Sequence, residues 1–440
     1  MSANPPPTEA PIMDRGGVVR SAPLAPTAPS RPALADPLRA QLEELYSLER
    51  RGIKLGLGPT QDLLQRCGNP QLDFPIIQIA GTNGKGSTAA LAAHILKHHG
   101  LKVGLFTSPH LARFHERIRV DGVCIEDRHI GAWMETHRAA VQELETTFFE
   151  ATTAMALSHF KAEQVDIAVL ETGLGGRLDA TTATGPSWTA LTPIALDHME
   201  TLGDTIEAIA REKAGILRPG VPCFSARQTP AVQEVIQAEG RRVNSPVTFI
   251  SEDLLVPRPL RLPGDHQHRN AQLAWTLTQA VLGLKFDEVQ ATLAVETTIW
   301  PGRYQQVRAR PKVIYDVAHN PHGVGAFIDT LRGESIRGRQ WLVLALQQGK
   351  NAHQVLDLLL KEFDRVIITQ TETRHFLPAV QLAALAGAAN PKVQVKLPAS
   401  LAIRDAVAEA GDSDLVAILG SHYLGPVVAE VFKISFDRLS

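Results

Sequence analysis

The sequence predicts an α/β protein built from two domains. Short apolar runs alternate with amphipathic stretches, which is typical of parallel sheets covered by helices on both faces. A Trp-Pro-Gly break at residues 300–302 separates these runs into two series. A chain of 440 residues is also longer than one hydrophobic core usually supports. We therefore predict a larger domain over residues 37–299 and a smaller one over residues 300–440.

The first 36 residues differ in character from the rest of the chain. They are rich in Pro, Ala and Ser and lack helical or strand periodicity, which predicts a disordered tail over residues 1–36. An organelle transit peptide is an alternative, although Glu9, Asp14 and Asp36 count against it. An over-long gene start is another, because Met13 lies inside the tail.

The composition argues against several classes of protein. The 44 basic and 46 acidic side chains give a formal net charge of −2, unlike a dedicated nucleic-acid binder with its basic stripe. No apolar run approaches the roughly 18 residues of a membrane-spanning helix. Cys67, Cys124 and Cys223 are far apart and form no C-x-x-C pair, so neither a disulfide framework nor a zinc site is expected. We predict a cytoplasmic protein that contacts neither nucleic acid nor membrane.

The apolar runs predict the buried strands of two sheets. The predicted strands cover residues 76–79, 103–106, 167–170 and 190–194 in the first series, and 313–315, 341–346, 365–369 and 415–419 in the second. Because the runs are continuously apolar, each sheet is expected to be buried on both faces.

A glycine-rich turn follows the first of these strands. It reads Gly81-Thr82-Asn83-Gly84-Lys85-Gly86-Ser87-Thr88, and a helical stretch then continues to about His99. Strand, glycine-rich turn and helix together present backbone N–H groups to phosphate, with Lys85 able to reach the β- and γ-phosphates. The spacing is not the standard G-x-x-x-x-G-K-[ST], because Gly86 separates Lys85 from Ser87. A plain strand-to-helix turn is the alternative interpretation.

Polar side chains follow the predicted strands, where ligands bind in open α/β sheets. Ser108 follows the second strand, Glu171 ends the third, His198 follows the fourth, and residues 316–319 follow the first strand of the second series. A hydroxyl, a carboxylate and an imidazole at one sheet edge could bind Mg²⁺, although imidazole is an unusual ligand for it. Each residue alone could equally serve as a cap or a loop hydrogen-bonding group.

A helix is predicted over residues 204–214, with Asp204 and Glu207 as a capping box and Gly215 at its end. Ile206, Ile209 and Lys213 fall on one face of it, so Lys213 is expected on the apolar side. The lysine is either held in a site or its ammonium extends to water.

Together these segments resemble the folylpolyglutamate/dihydrofolate synthase family of the Mur-ligase superfamily. The resemblance covers most of the chain after the tail. The matching blocks are I-A-G-T-N-G-K-G-S-T, T-S-P-H-L, E-R-I-R-V-D-G, E-T-G-L-G-G-R-L-D-A-T, L-D-H-M, R-E-K-A-G-I-L and D-V-A-H-N-P-H-G. It implies an N-terminal P-loop Mur-ligase-like ATPase domain and a smaller Rossmann-like C-terminal domain with the site between them.

The resemblance also implies roles for individual residues. It assigns nucleotide binding to Thr82, Asn83, Gly84, Lys85, Gly86, Ser87, Asn270, Arg303 and Asp316, and the binding of two Mg²⁺ ions to Ser108, Glu171, His198 and a carbamylated Lys213. It assigns pterin binding to Thr147, Phe149, Glu150, Arg177, Leu178 and Asp179. Lys85, Lys213 and His319 would be catalytic, although His319 could equally stabilise its own turn.

The implied reaction ligates L-glutamate to dihydropteroate and to reduced folates through an acyl phosphate, using ATP, in a monomer. Alternatives are a folylpolyglutamate synthase only, another Mur-type ligase, and a regulatory module switched by ATP. Thr182, the Trp300-Pro301-Gly302-Arg303 segment and His422 depart from the family pattern. We expect none of these departures to touch the phosphate or metal groups.

Overall fold

The computed structural model describes residues 37–52, 56–251, 256, 259–372, 376–387, 390–437 and 439. The tail predicted over residues 1–36 lies outside the described residues. Within the described part of the chain, no helix is both long and apolar enough to cross a membrane.

Two sheets organise the described chain, and their strands are numbered in chain order. They are β1 (Ile76–Ala80), β2 (Val103–Phe106), β3 (Ile118–Val120), β4 (Val123–Cys124), β5 (Ile167–Glu171), β6 (Trp188–Leu191), β7 (Cys223–Ser225), β8 (Val247–Phe249), β9 (Gln305–Arg308), β10 (Lys312–Asp316), β11 (Gln340–Leu344), β12 (Arg365–Ile368), β13 (Val393–Val395) and β14 (Leu415–Leu419).

Helices cover both faces of these sheets. They are α1 (Pro37–Ser47), α2 (Gly58–Arg66), α3 (Lys85–His98), α4 (Asp127–Glu143), α5 (Phe148–Ala162), α6 (Met199–Leu202), α7 (Ile206–Ala214), α8 (Pro230–Val243), α9 (Asp265–Leu282), α10 (Glu288–Thr297), α11 (Pro321–Arg332), α12 (Ala352–Glu362), α13 (Ala379–Leu385), α14 (Ala399–Glu409) and α15 (Gly425–Phe432).

The first sheet has the order β4-β3-β2-β5-β1-β6-β7-β8. Its strands are parallel from β2 to β8, as the apolar runs predicted, but β3 and β4 run antiparallel at one edge. One face packs against α1, α2, α4 and α5, and the other against α3, α9 and α10. This double coverage explains why β1 and β5 are buried at every position.

The second sheet has the order β13-β12-β11-β14-β10-β9, with β9 antiparallel at its edge. Helices α11, α12 and α13 cover one face, and α14 and α15 cover the other. The predicted α/β class is therefore confirmed, and the described chain contains two sheets.

Three sequence predictions need correction at element ends. The strand predicted over residues 341–346 is β11, which ends at Leu344. The strand predicted over residues 190–194 is β6, which ends at Leu191 because Pro193 has no N–H to continue the ladder. Helix α7 begins at Ile206, where the Thr205 hydroxyl accepts a hydrogen bond from the Ala208 N–H at 3.2 Å. The capping box predicted at Asp204 is therefore wrong.

Candidate active site

The carboxyl ends of the parallel strands in both sheets border one cavity of about 1170 Å³. The loops after β1, β5 and β6 contribute from the first sheet, and those after β10, β11 and β14 contribute from the second. This is where a ligand is expected in an open α/β sheet, and here two such edges face each other.

The glycine-rich turn forms one wall of the cavity. Lys85 is the first residue of α3, so the backbone N–H groups at the start of this helix point toward the cavity. The Lys85 ammonium donates to the Thr82 carbonyl at 3.2 Å, and the Thr82 hydroxyl bonds the Ala195 carbonyl at 3.0 Å. The turn thus lies as a phosphate-binding loop would, with its lysine folded back over it.

Neighbouring groups approach two glycines of this turn closely. Gly84 has φ of 90°, and a Cβ there would collide with the Asn270 side chain. A Cβ on Gly86 would lie 3.0 Å from the Trp300 indole nitrogen and 3.3 Å from a Glu171 oxygen. Trp300 therefore does touch the phosphate loop, and the expectation that departures from the family pattern avoid it is wrong.

Glu171 is a buried carboxylate beside the loop. One of its oxygens accepts from the Ser108 N–H at 3.1 Å, and the other lies 4.0 Å from the Lys85 ammonium. Burial raises the pKa of Glu171, and the Lys85 charge opposes that rise. The Ser87 hydroxyl is buried nearby in the loop without a hydrogen-bond partner. An oxygen donor set with one unsatisfied hydroxyl fits a hard cation such as Mg²⁺.

Lys213 is buried on the apolar face of α7, as predicted from its spacing with Ile209. Its ammonium donates to the Gly81 carbonyl at 2.8 Å and lines the cavity. Burial, assisted by the Lys85 charge, lowers the pKa of Lys213 to about 7. A large fraction of this amine is therefore neutral at physiological pH.

His198 and His319 both line the cavity. His198 is about half exposed, has φ of 52°, and its ring lies 4.0 Å from Asp197. Burial and the Lys350 charge lower its pKa to about 4, so the ring is neutral. The His319 Nδ1 atom is hydrogen-bonded to the Val317 carbonyl oxygen at 2.9 Å, and its Nε2 atom lies 3.7 Å from an Asp197 oxygen. The structure thus gives His319 a contact within its own turn and a second nitrogen that faces Asp197.

Asp197 links the two domains, and we did not predict it as a site residue. Its carboxylate accepts from Lys350 at 2.6 Å and from the Asn320 amide at 2.9 Å. Burial opposes its ionisation, but the His319 ring and the Lys350 charge outweigh burial and hold the pKa of Asp197 well below its usual range. Its partner Lys350 lies in the loop after β11. That position beyond a strand end is the signal that could have identified Lys350 as a site residue.

A second link joins the phosphate loop to the other domain. The side-chain amides of Asn83 and Asn320 donate to each other, both at 3.1 Å. Asn320 also caps α11 by accepting from the Gly323 N–H at 2.8 Å. The D-V-A-H-N-P-H-G segment therefore positions a helix start and touches the phosphate loop.

The three other predicted nucleotide residues also border the cavity. Asn270 donates to Gln267 at 3.0 Å and packs against Gly84. Among the described residues, Arg303 donates a hydrogen bond only to the Gly302 carbonyl, at 3.2 Å, which leaves most of its guanidinium for a ligand. Both Asp316 oxygens accept backbone N–H groups, from Tyr304 and Ala318 at 2.7 Å, so this residue also shapes its own turn.

The residues predicted to bind pterin do not line this cavity; they are Thr147, Phe149, Glu150, Arg177, Leu178 and Asp179. Thr147 and Glu150 form the capping box of α5. Asp179 is buried and accepts from the Gly173, Leu174 and Thr181 N–H groups at 2.8 to 3.0 Å.

The remaining members of the predicted pterin set are Phe149, Arg177 and Leu178. The Phe149 ring packs 5.6 Å from Phe106 and against Gly173. Arg177 pairs with Glu212 at 3.4 Å, and Leu178 is exposed. Only Phe149 and Leu178 thus keep side-chain surface free of a strong polar partner.

His422, a departure from the family pattern, also lies in the cavity. Its ring is 5.9 Å from that of His319. Burial, followed by the Arg303 charge, lowers the pKa of His422 well below its usual value. In the sequence His422 stands out only as a departure from the family pattern. Its position just after β14 is the further signal that could have identified it as a site residue.

The chain matches models of known families over two stretches. Residues 79–223 match the Mur ligase middle domain, and residues 302–422 match the glutamate ligase domain of Mur ligases. A protein of Escherichia coli K12 named dihydrofolate synthase/folylpolyglutamate synthase is 33% identical over 432 residues, covering 93% of this chain and 98% of that protein. A Halobacterium salinarum protein named probable bifunctional folylpolyglutamate synthase/dihydropteroate synthase is 36% identical over 408 residues, 86% of this chain, but the chain spans only 49% of its length.

Solved structures resemble the chain over both domains. E. coli FolC in complex with DHPP and ADP has a TM-score of 0.82 and 31% identity, covering 92% of this chain and 98% of that one. A Yersinia pestis bifunctional folylpolyglutamate synthase/dihydrofolate synthase, complexed with AMPPNP and Mn ion, has a TM-score of 0.81 and 29% identity, covering 92% and 100%.

Proposed function

This chain belongs to the folylpolyglutamate/dihydrofolate synthase family of Mur ligases, and on that premise we propose that it uses ATP to join L-glutamate to dihydropteroate and to reduced folates. The observation that carries the proposal is the cavity itself. A phosphate loop with Lys85 and Glu171 faces His319 and Lys350 of the second sheet across one space. That arrangement can bring a nucleotide, an acid and an amine together.

The chemistry has two steps. The carboxylate oxygen of the acceptor attacks the γ-phosphorus of ATP, so the bond to ADP breaks and an acyl phosphate forms. The neutral amine of glutamate then attacks the acyl carbon, phosphate leaves, and the amine loses a proton. The first step gathers several negative charges, which the Lys85 ammonium and the helix start of α3 offset.

A divalent cation fits the oxygen groups around this loop. We propose that Ser87, Ser108, Glu171 and His198 hold Mg²⁺, since Glu171 is a buried carboxylate and the Ser87 hydroxyl lacks a partner. When bound, the cation would offset phosphate charge in the way such ions do in phosphoryl transfer. The solved Y. pestis relative is complexed with AMPPNP and Mn ion, which supports a divalent cation beside the nucleotide but does not identify its ligands.

We also propose that Lys213 carries a carbamate and so contributes to a second cation site. Its neutral amine attacks CO₂, a C–N bond forms, and one proton is released. The support is its burial beside Gly81 and its pKa of about 7. Carbon-13 bicarbonate added to the active protein should give a carbamate signal that Lys213→Met lacks. The same signal in both proteins would remove the assignment.

The amine must lose a proton in the second step, and His319 is the proposed acceptor. Its Nδ1 is held by the Val317 carbonyl, which leaves Nε2 directed toward Asp197 and the cavity. A role only in the turn remains the alternative. His319→Gln keeps a hydrogen-bonding group, so a flattened pH–rate profile in that variant would support proton transfer, and an unshifted profile would support the turn.

One chain supplies every residue in this description, so we propose that a monomer is active. Light scattering during chromatography at assay concentrations should give the mass of one chain. A larger active species, with an inactive monomer, would contradict this.

The non-enzymatic alternative is a module switched between ATP and ADP states. It is distinguished by ADP release measured with ATP, glutamate and a pterin acid, each omitted in turn. We expect release to require all three and to fall at least about 100-fold in Lys85→Ala, because a preorganised charge on the phosphates is lost. Lys97→Ala, at the far end of the same helix, is the control. Release independent of glutamate would contradict a ligase.

A further inference from the structure

We propose a separate, structural metal site for a zinc-class cation formed by His129, His159 and Glu163. One ligand atom from each residue lies within 4.8 Å of the other two. Two imidazoles and a carboxylate suit Zn²⁺ better than Mg²⁺, and water would complete a tetrahedral set. The proposal does not depend on the ligase function.

The ligands come from two adjacent helices. His129 lies in the first turn of α4, and His159 lies near the end of α5. Glu163 follows His159 by four residues and caps α5, so both side chains emerge on one side of that helix. The two rings are 5.0 Å apart with an angle of 42° between their planes. A cation held there would fasten the end of α5 to the start of α4.

Two further observations distinguish this cluster from a chance group of surface histidines. The Nδ1 atom of His129 is buried and has no hydrogen-bond partner, which is an unsatisfied group of the kind a bound ion would complete. Burial and the neighbouring His129 ring also lower the pKa of His159 to about 4. Its imidazole is therefore neutral at pH 7 and available as a ligand.

Lys102 is the group that competes with a cation. Its ammonium lies 3.1 Å from a Glu163 oxygen, and both side chains are partly exposed. Binding a cation requires this ammonium to move away, which its flexible stem permits. Removing the ammonium should therefore tighten metal binding at this cluster, whereas binding at any other place would show no such dependence.

The site lies away from the candidate active site. Lys102 precedes β2, and Glu163 lies four residues before β5, so the cluster is at the amino edge of a sheet whose carboxyl edge borders the cavity. About 18 Å of helix separates His159 from Thr147, at about 1.5 Å per residue. A cation here would stabilise the α4–α5 pair rather than take part in ligation.

The test is Zn²⁺ binding to the full chain after metal removal with EDTA, measured by calorimetry, with Co²⁺ absorption as a probe of tetrahedral geometry. We expect His159→Ala and His129→Ala each to lower the affinity of one Zn²⁺ by more than about 100-fold. His137→Ala, a histidine on the same α4, should leave it unchanged. Lys102→Ala should tighten binding and increase the rise in Tm caused by Zn²⁺.

Two results would overturn the proposal. One is that both histidine variants keep the zinc stoichiometry and the cobalt spectrum of the wild-type protein, since the cation would then be bound elsewhere. The other is weaker binding in Lys102→Ala. Circular dichroism of each variant confirms that it is folded, so a failed fold cannot be mistaken for a lost ligand.

Discussion

The ionisation of Lys213 should be visible in how the stability of the protein depends on pH. Its pKa is about 7 in the folded chain and near 10.4 when exposed. Between these values the unfolded chain binds the extra proton, so the free energy of unfolding should rise with pH. In CO₂-free buffer we expect a slope of at most about 1.4 kcal/mol per pH unit between pH 7 and 10 that Lys213→Met lacks.

Urea unfolding at several pH values measures that slope. Lys97→Met, which changes an exposed lysine on α3, is the control and should keep the wild-type slope. Equal slopes in wild type and Lys213→Met would mean that the buried amine is ionised in both states.

Glu171 gives a second prediction at this scale. Glu171→Gln keeps the size and one acceptor oxygen but removes the charge beside Ser87 and Lys85. We expect the Mg²⁺ concentration for half-maximal activity to rise about tenfold or more, because a carboxylate is the strongest ligand in the proposed set. Glu207→Gln, an exposed acid on α7, should leave the curve unchanged. Identical Mg²⁺ titrations for Glu171→Gln and wild type would show that it is not a ligand.

At the scale of elements, the loops after β6 and β11 depend on each other. Asp197 and Lys350 are both nearly buried and form a pair across the domain interface. Removing only one charge leaves the other buried without a partner, which costs about 3–5 kcal/mol in comparable buried pairs. Asp197→Asn should therefore lower Tm and loosen the interface, as measured by limited proteolysis.

The Asp197→Asn/Lys350→Met double variant tests whether that loss comes from the pair. Because neither charge is left unpaired, we expect it to recover part of the stability that Asp197→Asn loses. Strictly additive losses would show that Lys350 is stabilised by groups other than Asp197.

At the same scale, structure that depends on neighbouring residues was predictable from the sequence, and contacts between distant residues were not. The phosphate loop was predicted because strand, glycines and lysine are contiguous, and its conformation depends on local backbone geometry. Helix α7 begins later than the sequence predicted because Thr205 rather than Asp204 caps it, and both residue types suit that role. The Asp197–Lys350 pair joins residues 153 positions apart, and no local pattern indicates such a contact.

At the scale of the whole molecule, the candidate site exists only where two sheets meet. Each domain brings polar groups to the carboxyl edge of its own sheet, and strand position predicted Ser108, Glu171, His198 and residues 316–319 among them. Strand position does not predict which of these groups form hydrogen bonds or packing contacts with each other. The Asn83–Asn320 amide pair requires the domains to be docked. The approach of Trp300 to Gly86 requires the core of the first sheet to be packed.

The pterin segment illustrates the same limit. Glu150 and Asp179 were predicted as carboxylates that hydrogen-bond a pterin ring. In the folded chain Glu150 accepts from the Thr147 N–H at 2.7 Å, and Asp179 accepts several backbone N–H groups. These bonds follow from local turns and would have to be shared with a substrate. The Phe149 ring is the member of the set that could stack on a pterin without such a conflict.

The whole molecule should be bifunctional, adding glutamate to dihydropteroate as well as to reduced folates. Both acceptors carry a pterin and a p-aminobenzoyl group. The reacting carboxylate is on that benzoyl group in dihydropteroate and on the attached glutamate in a folate, so a pterin site and a phosphate loop that admit both lengths would serve both acceptors. We expect ADP formation with dihydropteroate plus glutamate and, separately, with a reduced folate plus glutamate. Phe149→Ala should raise KM for both acceptors by a similar factor, since a stacking face for the shared ring is worth about 1 kcal/mol, or about fivefold.

Phe286→Ala, an aromatic change remote from the cavity, is the control for folding. Turnover with the folate pair alone would make the chain a folylpolyglutamate synthase only, and a KM effect confined to one acceptor would mean that the two pterin rings bind at different places.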